Sequence, residues 1–111
     1  MTYKYTIYCP RFVADNTGNS VGLPPSGVAE HVYAMIVSKF GGLTKHEFCR
    51  GFFKIEDTVI DELVEVIEIV VSDVDDHEFS PDIIKICEHI KKVYNQNCVL
   101  TTRTEVCARL I

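Results

Sequence analysis

Between Asp61 and Ser72 the chain carries Leu63, Val64, Val66, Ile67, Ile69, Val70 and Val71, broken only by Glu65 and Glu68. Residues of these types fit a pleated strand. Because they fall on both parities, both faces of that strand must leave water, as in an inner strand or one whose second face meets another subunit. A chain of 111 residues has to do this around a single core, since it is too short for two. We therefore read residues 1–111 as one domain.

The other segments supply what such a strand needs. Tyr3 to Tyr8 is aromatic and β-branched and reads as a first strand, which Pro10 should end because proline donates nothing to a ladder. Asp15 to Ser20 and Gly22-Leu23-Pro24-Pro25 form a long loop. Ser26 is placed to cap a helix over 27–40, where Val28, Val32, Tyr33, Ile36, Val37 and Phe40 recur at helical spacing and Gly41-Gly42 stops it. Thr44 to Lys54 reads as a strand, Glu56-Asp57-Thr58 as a turn, and Asp61 to Ser72 as the next strand. After a loop from Asp73 to Glu78, Ser80-Pro81-Asp82 starts a second helix, with Ile83, Ile86, Cys87, Ile90, Val93 and Tyr94 on one face. Asn95-Gln96-Asn97 ends it, and Cys98 to Ile111 is expected as a long final strand, bent near Thr101–Thr104. The order strand, helix, strand, strand, helix, strand specifies an α+β fold of ferredoxin-like βαββαβ type, an antiparallel sheet with two helices on one face. The other face then needs cover, and a second copy supplies it, so a homo-oligomer built on a dimer is expected.

Composition excludes several classes. No apolar run approaches the ~20 residues of a membrane span, and Met1-Thr2-Tyr3-Lys4-Tyr5 does not open a secretion signal, so a cytoplasmic protein is expected. Cys9, Cys49, Cys87, Cys98 and Cys107 are odd in number and form no C-x-x-C pair, which suits small buried thiols in a reducing compartment. Cys49, beside Lys45 and Arg50, is the candidate for a reactive thiol. The net charge of −5 is unevenly spread: from Glu56 to Asp82 there are eleven acidic residues and no Lys or Arg. That stretch repels a phosphate backbone, so no nucleic-acid polymer is expected as a partner.

Catalytic and metal motifs are missing. His31, His46, His77 and His89 are scattered without zinc-ligand spacing. The loop from Asp73 imitates the opening of a calcium hand but lacks glycine at its sixth position and glutamate at its twelfth. There is no G-x-S-x-G and no phosphate loop, so no catalytic residue, metal or cofactor is assigned. What remains is a set of binding residues. Arg50, Arg103 and Arg109, placed on strands, suit bidentate recognition of phosphate or carboxylate. Tyr3, Tyr5, Phe52 and Phe53 offer faces on which a base can stack.

Gly41-Gly42-Leu43-Thr44, Gly51-Phe52-Phe53, Glu62, and Gln96 with Val99 together resemble a family of small bacterial and phage proteins. Those proteins share a G-G-x-T, G-x-W, Glu, Q-x-x-V pattern, with Phe53 standing here where they carry tryptophan. The resemblance covers about residues 40 to 100 and implies a ferredoxin-like fold and oligomerisation, and no established activity. The leading expectation is thus a non-catalytic oligomer holding a small anionic, nucleotide-like ligand between subunits, as in a phage protein that sequesters a host immune signal. Two alternatives stand beside it. One is a protein–protein inhibitor that docks a basic partner through the acidic stretch, with Glu65, Glu68, Asp75 and Asp76 central. The other is a small dimeric enzyme in which His46 or Tyr33 works near a pocket.

Overall fold

The strand that the sequence makes apolar on both sides is an inner one. In a computed structural model, which describes residues 1–72 and 78–111 (Phe48 and Ile55 by backbone alone), it is β5, Thr58–Val71. The preceding elements are β1 (Tyr3–Pro10), β2 (Val13–Ala14), β3 (Ser20–Gly22), α1 (Val28–Phe40) and β4 (Thr44–Ile55). Following it come α2 (Pro81–Val93) and β6 (Thr101–Glu105). The main sheet has the order β4-β5-β1-β6, and every neighbouring pair is antiparallel. With α1 and α2 on one face, this is the ferredoxin-like α+β fold.

Register decides which side chains are buried. Tyr5 pairs with Ile69 and Ile7 with Ile67, and all four point to the helices. There they meet Val32 and Ile36 of α1 and Ile83, Ile86 and Ile90 of α2, all almost fully buried. Each such side chain contributes ~1.5–3 kcal/mol by leaving water. Tyr5 also holds the start of α2: its hydroxyl accepts the Ser80 N–H at 3.1 Å, while Ser80 Oγ accepts the Ile83 N–H at 3.4 Å. The opposite parity, Tyr8, Pro10, Val64, Val66 and Val70, looks away from both helices, and Val70 is 50% exposed.

Several boundaries differ from those expected. Pro10 still pairs with Val64. Tyr8 donates its N–H outward to Leu100, so the N–H that Pro10 lacks would point where β6 no longer runs. The helix cap is Gly27 (φ 90), not Ser26, because the Pro25 carbonyl accepts the Val28 N–H and no side chain is needed. The final strand is the five-residue β6, which pairs with Tyr3 to Ile7 of β1 and is flanked by one further hydrogen bond at each end, Tyr8 N–H to Leu100 and Val106 N–H to Thr2. Arg109 therefore lies in an exposed tail and not on a strand. Part of the expected long loop forms the β2–β3 ribbon.

Candidate ligand-binding cleft

Beyond the end of β1 the β4–β5 hairpin runs on alone, and its inner surface walls a cleft of about 560 Å³. A register shift between His46 and Cys49 adds one residue to β4. This bulge sets Cys49, Gly51 and Phe53 opposite Val64, Glu62 and Ile60, on the side of the sheet away from the helices. Gly51 is there for a steric reason: a Cβ on it would stand 2.5 Å from Phe53 Cε2. The missing side chain lets the Phe53 ring lie along the strand.

The facing walls are two loops. In the first, Asp15 accepts from the Thr17 hydroxyl at 2.6 Å and from the N–H groups of Thr17 at 2.9 Å and Asn19 at 3.0 Å. These donors, the Thr17 hydroxyl foremost, hold its pKa below the usual carboxylate range. The second follows α2, where Asn95 takes φ 52 and its Nδ2 donates to the Ala14 carbonyl at 2.9 Å. Asn95 thus ties one wall to the other. Gln96, Cys98, Val99 and Leu100 complete the lining beside Tyr8, Phe53, Lys54 and Glu62.

Glu62 is a half-buried side chain that the packing leaves unanswered. Burial raises its pKa, and no hydrogen bond or ion pair reaches its carboxylate among the described residues. A half-buried carboxylate without a partner carries a desolvation cost that a hydrogen-bond donor would offset. The acidic stretch is otherwise divided between the two faces of β5. Asp61 pairs with Arg50, Glu65 accepts from the Tyr33 hydroxyl, and Glu68 lies 4.0 Å from Lys4 and 3.5 Å from His46. Asp75, Asp76, His77 and the calcium-like loop from Asp73 lie outside the described residues.

The aromatic and arginine residues named from sequence meet in separate pairs and do not gather in one site of the chain. Phe53 lines the cleft, while Phe52 points to the other side of the hairpin, 63% exposed, with the Arg50 guanidinium 5.2 Å from its ring centre. Arg103 sits on the opposite edge strand, 4.6 Å over the Tyr3 ring, and donates to the Glu78 carbonyl at 2.7 Å. Arg50 faces Leu63 across β5 and Arg103 faces Tyr5, the partner of Ile69. Such positions are roughly 14 Å apart across the strands and roughly 20 Å along them. Tyr5 is fully buried against Phe79 and offers no stacking face.

Burial pushes the thiols of Cys9 and Cys87 up, to about 12 and about 11, as expected of inert core cysteines. Cys98 and Cys107, expected inside, are exposed. Beside Cys49, Lys45 and Arg50 are engaged by Glu47 and Asp61. The rings of His31 and His89 meet 5.4 Å apart between the helices, yet no group of three or more metal-ligating side chains occurs among the described residues. What composition could not show is that Phe53, Glu62, Gln96 and Val99 line one cavity. Phe53 was legible as a stacking aromatic, and Glu62, Gln96 and Val99 only as parts of the family pattern; the 15–18 loop was legible as a long loop and Asn95 as a helix end, neither as a cleft wall.

No protein-family model and no curated protein matches the sequence. Solved structures do match in fold. The divalent cation tolerance protein CutA1 of Thermus thermophilus superposes with a TM-score of 0.62 at 10% identity, over 99% of this chain and 88% of that one. CutA1 of Oryza sativa gives 0.61 at 9% identity, over 98% and 83%. A phage SAM lyase in complex with S-methyl-5′-thioadenosine gives 0.63 at 13% identity, over 94% and 81%.

Proposed function

We propose that the chain is a self-associating binding protein that holds a small nucleoside- or nucleotide-like ligand in the cleft of the β4–β5 hairpin. The observation that carries the reading is the convergence of Phe53, Glu62, Gln96 and Val99, far apart in sequence, on one cavity of about 560 Å³. Small-molecule sites span ~300–1,000 Å³ and combine an apolar lining with a few polar groups. Phe53 presents a ring face, and the amide of Asn97 with the remaining capacity of the Gln96 amide presents donors and acceptors suited to the edge of a base. The phage SAM lyase of the same fold holds a nucleoside thioether, which supports this ligand class for the present chain.

An anionic ligand, of the kind a sequestering phage protein would take, needs cations as well. Lys54 lies on the cleft wall. Since Arg50 and Arg103 are at opposite edges of one sheet, an anion held by both would lie between copies, with Arg109 reaching from the exposed tail. The half-exposed Val70 on the uncovered face supports self-association.

Calorimetry with nucleosides, their 5′-phosphates and cyclic nucleotides tests the reading. Binding is expected, and Phe53→Ala should weaken it by ~1–3 kcal/mol, the worth of one stacked base. Tighter binding of the phosphates, lost in Arg103→Ala, would establish the anionic version. Silence across the panel from folded protein would remove the reading.

The unpartnered Glu62 favours a second reading, in which the same cleft is an active site and Glu62 its acid–base group. Release of S-methyl-5′-thioadenosine from SAM, absent in Glu62→Gln, would show it.

A further inference from the structure

On the helix side of the sheet, away from the cleft's hairpin wall, lies a second cavity of about 200 Å³. Its lining includes Arg11, Leu23, Pro24, Glu30, Glu65 and Tyr94. Glu65 is out of keeping with its place. It pairs with the buried Cys9, and the residues that follow it on the same face, Ile67 and Ile69, are fully buried core. Oε2 accepts from the Tyr33 hydroxyl, whose pKa is pushed up by burial and by Glu65 itself, so Tyr33 stays a donor and fixes the carboxylate. Oε1 has no hydrogen-bond partner among the described residues.

The walls therefore combine a positioned carboxylate, an arginine and an apolar rim of leucine and proline. A guanidinium carries five donors, so Arg11 can serve a carboxylate in addition to the contacts it already makes, among them the Phe12 ring with its centre 5.9 Å from Cζ. An engineered cavity of about 150 Å³ holds a benzene molecule. On that scale about 200 Å³ takes roughly eight non-hydrogen atoms. We propose that this cavity is a second binding site, and that it takes a small zwitterionic α-amino acid with an unbranched apolar side chain. Its ammonium sits on Glu65, its carboxylate on Arg11, and its side chain against Leu23 and Pro24.

The test uses L-norvaline and its two fragments, butan-1-amine without the carboxylate and pentanoate without the ammonium, each titrated into the intact protein by calorimetry and amide NMR. L-norvaline is expected to bind one to one, at least about tenfold more tightly than either fragment. Its shifts should centre on Ala29, Glu30 and Tyr94 and not on Phe53 or Gln96. Glu65→Gln, which can still accept from Tyr33, should weaken L-norvaline and butan-1-amine about tenfold and leave pentanoate unchanged. Arg11→Met should weaken L-norvaline and pentanoate and leave butan-1-amine unchanged. The proposal is overturned by the absence of any saturable shift in protein whose spectrum shows it folded. Shifts confined to the cleft, or fragments that bind as well as the whole amino acid, overturn it equally. Because the site shares no charged residue with the cleft, loss of nucleoside binding leaves this outcome unaffected.

Discussion

Glu62 and Gly51 face each other across the hairpin and make opposite predictions about stability. Burial raises the folded-state pKa of Glu62 above its unfolded value, so its contribution to stability is most favourable below the unfolded pKa near 4.5 and is lost as pH rises through the higher folded value. Glu62→Gln should therefore raise the melting temperature at pH 7 and give no gain at pH 3, while weakening ligand binding; thermal melts across that range decide it. Gly51→Ala would push the far end of the Phe53 ring aside, because the new Cβ would meet Cε2 at 2.5 Å and Cζ at 2.8 Å. A side-chain tip yields cheaply, so unfolding free energy should change by less than ~1 kcal/mol. Nucleoside affinity should nevertheless fall, as calorimetry on the same variant would show. Glu62 and Gly51 were legible in sequence only through a shared pattern, because nothing in the alternation of β5 marks which glutamate stays unpaired.

At the scale of elements, the amphipathic helices and the strands were legible from periodicity and punctuation, since Ser80-Pro81 and Gly41 act on their own neighbourhoods. The ends of the strands were not. β6 stops after Glu105 because β1 has no further partner for it, and β1 runs to Pro10 because only its outer side is unpaired there. The Tyr5–Ser80 contact belongs here too, joining an inner strand to the N-terminus of α2. Tyr5→Phe would leave the buried Ser80 N–H without its acceptor and should cost ~1–3 kcal/mol in chemical denaturation. Asn95→Gly keeps the left-handed turn after α2 but removes the clamp on the Ala14 carbonyl. Cleft affinity should fall in that variant with stability nearly unchanged.

For the whole molecule, the helices cover one face of the sheet and leave Val66, Val70 and Tyr8 on the other. If a second copy covers them, the wild type should sediment above the 12.6 kDa of one chain. Val70→Lys should return it to that mass, because a buried unpaired ammonium is far costlier than a buried valine. Sedimentation of both proteins at matched concentrations checks this.

Sequence alone determined what local chemistry governs: the βαββαβ order, the helix stops, the two apolar faces of the Asp61–Ser72 strand and the lack of any short catalytic motif. Tertiary structure alone decided which residues share a surface. It separated Arg50 from Arg103, chose Phe53 over Phe52 for the cleft, and brought Glu62 to Gln96 and Glu65 to Arg11. Strand register is the physical reason. A shift of one position exchanges the two faces of a strand, and the bulge between His46 and Cys49, which sets that register for β4, leaves no mark in the composition.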